Sequence, residues 1–82
     1  MTAAAKTRQF TAAANLACAA ADADLLATIT THDDDVHVII TSPDIDVFAI
    51  WSDGRFDSAT VRVGRRQGIA RSAADIRAHL GI

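Results

Sequence analysis

The chain has 82 residues, half of them apolar, with eight Lys or Arg against ten Asp and a net charge of −2. That length holds one domain and leaves no room for a separate substrate domain. No apolar run approaches the ~20 residues of a membrane span, and the opening Ala, Thr, Lys and Arg residues lack a signal-peptide core, so the expectation is a soluble cytoplasmic protein.

Thr2 or the residues just after it cap a long helix running to about Ala23. Eleven Ala lie between Ala3 and Ala23 with no Gly or Pro among them, and Ala is the strongest helix former. Phe10, Ala14, Ala17 and Ala21 recur at helical spacing with Ala13 beside them, which predicts the buried stripe. Arg8, Thr11, Asn15 and Asp22 would face solvent. Asp22 and Asp24 oppose the helix dipole and mark its end. Cys18 is the only cysteine. It excludes an internal disulfide, and in this Ala-rich pattern it reads as a small buried residue.

Leu25 to Thr31 alternates loosely into a first strand, although Leu25 and Leu26 could also finish the helix. His32-Asp33-Asp34-Asp35 is a polar turn. Val36 to Thr41 is a second strand with Val36, Val38 and Ile40 on one face, and Ser42-Pro43-Asp44 breaks it. Ile45 to Trp51 is the third strand, Asp53-Gly54 a hairpin turn, and Phe56 to Val63 the fourth strand. Gly64-Arg65-Arg66-Gln67-Gly68 reads as a glycine-bracketed basic loop. Ser72 then caps a short helix with Asp75 at its third position; Ala73, Ile76 and Leu80 share a face, and Gly81 ends it. The expected fold class is α+β: a four-stranded antiparallel meander between a long N-terminal helix and a short C-terminal one.

The third strand is apolar on both faces, with Ile45, Val47, Ala49 and Trp51 on one and Phe48 and Ile50 on the other. Such a strand needs cover on both sides. If both helices pack on one face of the sheet, the opposite face keeps an apolar patch that suits a partner. Which face that is depends on the register at Asp53-Gly54. A two-residue turn sets Trp51 opposite Phe56 and Phe48 opposite Ala59; a three-residue turn with a Gly54 bulge sets Ile50 opposite Phe56 and Val47 opposite Ala59.

The chemistry-bearing residues are sparse. His32, Asp33, Asp34, Asp35 and His37 are metal-capable but lack the spacing, glycine and terminal Glu of a calcium loop, and a solvated turn explains them as well. No nucleophile elbow, phosphate-cradling loop or metalloprotease helix is present, so neither catalytic residues nor a cofactor or metal site is expected. Arg62, Arg65, Arg66 and Arg71, with Arg77, form the one basic cluster, suited to phosphate and hence to RNA or DNA. Against it, eight Asp and no Lys or Arg lie between Gln9 and Gly54, an acidic middle that repels phosphate.

The expected function is non-catalytic protein-protein interaction, by self-association or as a small inhibitor or adaptor of the kind a mobile element encodes. Ile45, Val47, Phe48, Ile50, Trp51 and Phe56 are the candidate contact residues. If the partner handles nucleic acid, the unopposed Asp residues could imitate phosphates. Nucleic-acid binding through the Arg segment is the alternative.

Overall fold

A computed structural model describes residues 1–82. The architecture is α+β, with helix α1 at Ala3–Asp22, strands β1 Leu26–His32, β2 Asp35–Ser42, β3 Ile45–Ser52, β4 Arg55–Val63 and β5 Arg66–Ala70, and helix α2 at Ala73–Leu80. The sheet is an antiparallel meander of five strands in the order β1-β2-β3-β4-β5. The expected four strands are all present; the fifth lies where a basic loop was expected, because Gly64 adopts φ 60° and turns the chain back so that Arg66 pairs with Val63. No helix is long and apolar enough to cross a membrane.

Both helices end as their sequences direct. The Thr2 hydroxyl accepts a hydrogen bond from the Ala5 N–H at 3.1 Å, satisfying one of the free donors of the first turn. At the other end Asp24 takes φ 64°, the left-handed conformation usually given to glycine, and Leu25 N–H donates to Ala20 O. Leu25 is therefore the apolar residue after the cap and does not belong to the helix. In α2 the Ser72 hydroxyl accepts from Asp75 N–H, and the Asp75 carboxylate accepts from Arg71 N–H, both at 3.0 Å.

The core lies between one sheet face and the two helices. Val36, Val38 and Ile40 of β2, Val47, Ala49 and Trp51 of β3, and Ala59 and Val61 of β4 are buried there with Leu16 of α1 and Ile76 of α2. Ala49, Ala59 and Ala70 stand side by side across three strands, a low row that lets helices approach closely. The Trp51 indole meets the Phe56 ring edge to face at 5.3 Å, a favoured aromatic geometry.

The buried side of α1 differs from the expected stripe. It comprises Ala5, Gln9, Ala13, Leu16, Ala17 and Ala20, while Phe10 is 47% exposed and Ala21 and Cys18 also face solvent. The helix is rotated because Gln9, and not Phe10, is needed underneath. The Gln9 side chain is 2% exposed; its amide donates to Asp34 O at 2.5 Å and its carbonyl accepts from Gly54 N–H at 3.0 Å. One side chain thus satisfies polar backbone in the β1–β2 turn and in the β3–β4 turn. Arg8 adds a hydrogen bond from Nε to Gly54 O at 3.1 Å, and Lys6 pairs with Asp34 at 3.2 Å.

Gly54 is required at this seat. It has φ 79°, and a Cβ placed on it would lie 2.8 Å from the Ala5 Cβ. Gln9→Ala leaves the buried Gly54 N–H unpaired and removes the part-buried bond to Asp34 O, and should destabilise the fold by about 1–3 kcal/mol, read as a lower denaturant midpoint; an unchanged midpoint contradicts the role assigned to this residue. Gly54→Ala should lose about 1–3 kcal/mol through the strained φ alone, with further loss from the clash with α1.

Candidate interaction surface

The two faces of the sheet are decided by a bulge. Trp51 pairs with Phe56, as a two-residue turn requires, but Ile50 then pairs with Ser58, so Asp57 is an extra residue on β4. Neither expected register persists along the strand: Phe48 lies opposite Thr60 and Val47 opposite Val61. Phe56 and Ala59 have opposite parity, and only an inserted residue between them puts both on the helix side. The bulge keeps the apolar side chains of β4 together and sends Ser58, Thr60 and Arg62 to the other face.

That other face has no helix on it. Its central row runs Thr28, Ile39, Phe48, Thr60, Ile69 across all five strands, and the neighbouring row runs Thr30, His37, Ile50, Ser58. Phe48 is 39% exposed and Ile69 is 73% exposed, whereas Ile39 and Ile50 are half-buried by their neighbours. The His37 ring lies 5.2 Å from the Phe48 ring, and the His32 ring 6.3 Å from His37. No group of three or more His, Cys, Asp or Glu side chains is gathered for a metal. The face is an apolar centre of Ile39, Phe48 and Ile50 in a hydroxyl-rich surround.

Of the contact residues expected from sequence, Phe48 and Ile50 lie on this open face. The other four need correction, because α1 and α2 cover their side. Val47 and Trp51 are buried, Trp51 to 2% exposure, and Ile45 and Phe56 are half-buried against the same core. Ile39, Ile69 and His37 join the patch and were missed. The signal for Ile39 was available: placing Val36, Val38 and Ile40 on the core side of β2 puts Ile39 on the opposite one.

The arginines expected to cluster do not converge. Arg62 stands on the open face paired with Asp46 across β3 and β4, its Nε donating to the carboxylate at 3.0 Å and its Nη1 to Gly64 O at 2.8 Å. Arg65 and Arg66 line a separate groove on the helix side with Val61, Val63 and His79. Arg71 follows β5 at its far end, and Arg77 is exposed on α2. Contiguity in sequence becomes dispersal in space because a hairpin turn and a strand separate these residues.

The class defined by these observations is a small α+β domain with two helices on one face of a five-stranded meander and a bare face opposite. No protein-family model, curated protein or solved structure matches this chain. The two faces predict opposite responses to mutation. Trp51→Ala should cost about 3–5 kcal/mol of stability, whereas Phe48→Thr, which keeps strand propensity, should change it by less than about 1 kcal/mol; urea unfolding of both variants checks this.

Proposed function

We propose that this domain is a non-catalytic, cytoplasmic protein-protein interaction module, an inhibitor or adaptor that seats a partner protein on its open sheet face. The observation that carries this reading is the position of Phe48: at the centre of the sheet, flanked by Ile39 and Ile50, and uncovered by either helix. An aromatic anchor in an apolar centre with a polar rim is the arrangement found where binding energy concentrates. The rim is supplied by Thr28, Thr30, Ser58 and Thr60, and the Asp46–Arg62 pair offers a charged pair at one end for orientation.

Nucleic-acid binding receives less support. Arg62 is committed to Asp46, and the remaining arginines are spread over different faces. The three Asp residues of the β1–β2 turn lie beside α1, where Asp34 pairs with Lys6.

The test is affinity capture from host extract with wild type, Phe48→Thr, Ile50→Thr and Arg65→Ala/Arg66→Ala, each first shown to unfold cooperatively. A bound protein should be weakened by about 2 kcal/mol, roughly thirty-fold, by Phe48→Thr and should survive an increase in salt from about 50 to 200 mM, under which phosphate contacts fail. Binding untouched by Phe48→Thr, or abolished by salt and by the paired arginine change, overturns the reading in favour of a nucleic-acid or other surface.

A further inference from the structure

The groove between the β4–β5 hairpin and α2 encloses about 740 Å³, inside the range of about 300–1,000 Å³ that small-molecule sites occupy. Register decides what lines it. Val61 pairs with Gly68 and Val63 with Arg66, and these positions share the helix side of the sheet. α2 contributes Ala78 and His79, and Arg65 stands in the turn beside Arg66. The floor is therefore apolar, with bare backbone at Gly68, and the arginines are gathered at the turn end.

Nothing in the fold asks for glycine at position 68. Gly54, Gly64 and Gly81 have positive φ and Gly68 does not, and a Cβ built on it would meet no atom within 4 Å. β5 pairs with β4 in unbroken register from Ala70 to Arg66, so no bulge needs it either. Glycine inside a strand weakens it, and where no bend or bulge calls for it, it marks a place where another group comes close to the backbone. The missing side chain keeps the groove floor open. Arg65 and Arg66 are likewise uncommitted. Lys6 and Arg62 hold Asp34 and Asp46, and Asp75 is engaged with Arg71 N–H and His79, whereas neither Arg65 nor Arg66 has an ion-pair partner. No carboxylate lines the groove. At the negative end of α2 the Arg77 and Ala78 carbonyls already accept from Ile82 and Gly81 N–H.

We infer that this groove binds a small anionic amphiphile, its carboxylate or phosphate head held by Arg65 and Arg66 and its short apolar tail laid along Val61, Val63 and Ala78 against the Gly68 backbone. The guanidinium fork matches the paired oxygens of either head group. A bare phosphate would leave the valine floor uncovered, and a polyanion such as a nucleic-acid backbone needs a line of cations where this groove has arginine at one end only. The tail supplies what both lack, because covering Val63 and Ala78 removes apolar surface from water. The inference is independent of the open-face reading, since Phe48 lies on the opposite side of the sheet.

Nuclear magnetic resonance titration of the whole chain with octanoate and with octyl phosphate, each below its micelle concentration, tests it. Saturable shifts are expected at the Val61 and Val63 methyls and the Gly68 amide, and the tighter of the two probes identifies the head group. Acetate and inorganic phosphate, which have no tail, should bind far more weakly. Arg65→Gln/Arg66→Gln should weaken octyl-chain binding about tenfold or more through the lost charged hydrogen bonds. Gly68→Val fills the groove with a side chain that suits a strand; it should keep or raise the denaturant midpoint and abolish binding, while Phe48→Thr should bind as wild type does. A wild type that shows no saturable shift with either octyl probe overturns the inference. So does binding that survives in a folded Gly68→Val, inorganic phosphate binding as tightly as octyl phosphate, or shifts confined to Ile39, Phe48 and Ile50, which would place the amphiphile on the open face.

Discussion

A single buried amide holds this domain in its observed form. Gln9 bridges the β1–β2 and β3–β4 turns from beneath α1, and a buried polar group is tolerated only when its hydrogen bonds are made. Because both partners are backbone atoms at one end of the sheet, the helix is locked to one face and in one rotation. Its far end is fixed separately by the Leu25 N–H to Ala20 O bond, which leads the chain directly into β1. With α1 settled over β1 and β2, α2 occupies the remaining area over β4 and β5, and no helix is left for the opposite face.

The bulge at Asp57 is the second decision, and it follows from the first. Once Trp51 and Phe56 are paired beneath the helices, Ala59 and Val61 can join them only if one residue of β4 is left out of the ladder. The alternative leaves two more apolar residues in water and puts Ser58 and Thr60 against the core. The Ala-rich core gains little area from each residue, so it does not tolerate that exchange. The far end of the sheet is tied by Gly64 N–H donating to Asp44 O at 2.7 Å, which joins the β2–β3 and β4–β5 turns. Each end of the meander is thus braced across neighbouring turns.

These constraints sort the surface into parts with different characters. The open face is apolar at its centre and hydroxyl-bearing around it, the β5 edge is bracketed by arginine, and strand β1 itself carries no Lys, Arg, Asp or Glu, its charge lying in the adjoining β1–β2 turn beside Lys6. The net charge of −2 conceals this arrangement. Acidic groups gather at turns, where Asp33 and Asp53 both take φ 55° and exploit the tolerance of Asp for the left-handed region. Much of the acidity is therefore turn chemistry, and Asp46 is used to hold Arg62 in place.

Local pattern was enough to read the elements: the Thr2 and Ser72 caps, the Asp53-Gly54 turn, and the runs of β-branched residues from Val36 to Val63 all act over a few residues, and each appears where its sequence places it. The same pattern revealed that β3 is apolar on both sides. It misled on α1, where Phe10 is the obvious anchor by size but Gln9 is the residue underneath, because its partners lie 25 and 45 residues away in the chain. It also hid β5, whose pairing depends on β4 already being in position. What the amino-acid order determined by itself was the identity of the helices and four of the strands, since propensity, capping and turn preference are local forces. Which side of the sheet the helices cover, and hence whether Trp51 or Phe48 meets the outside, was decided only in three dimensions, by hydrogen bonds and parity that no short window contains.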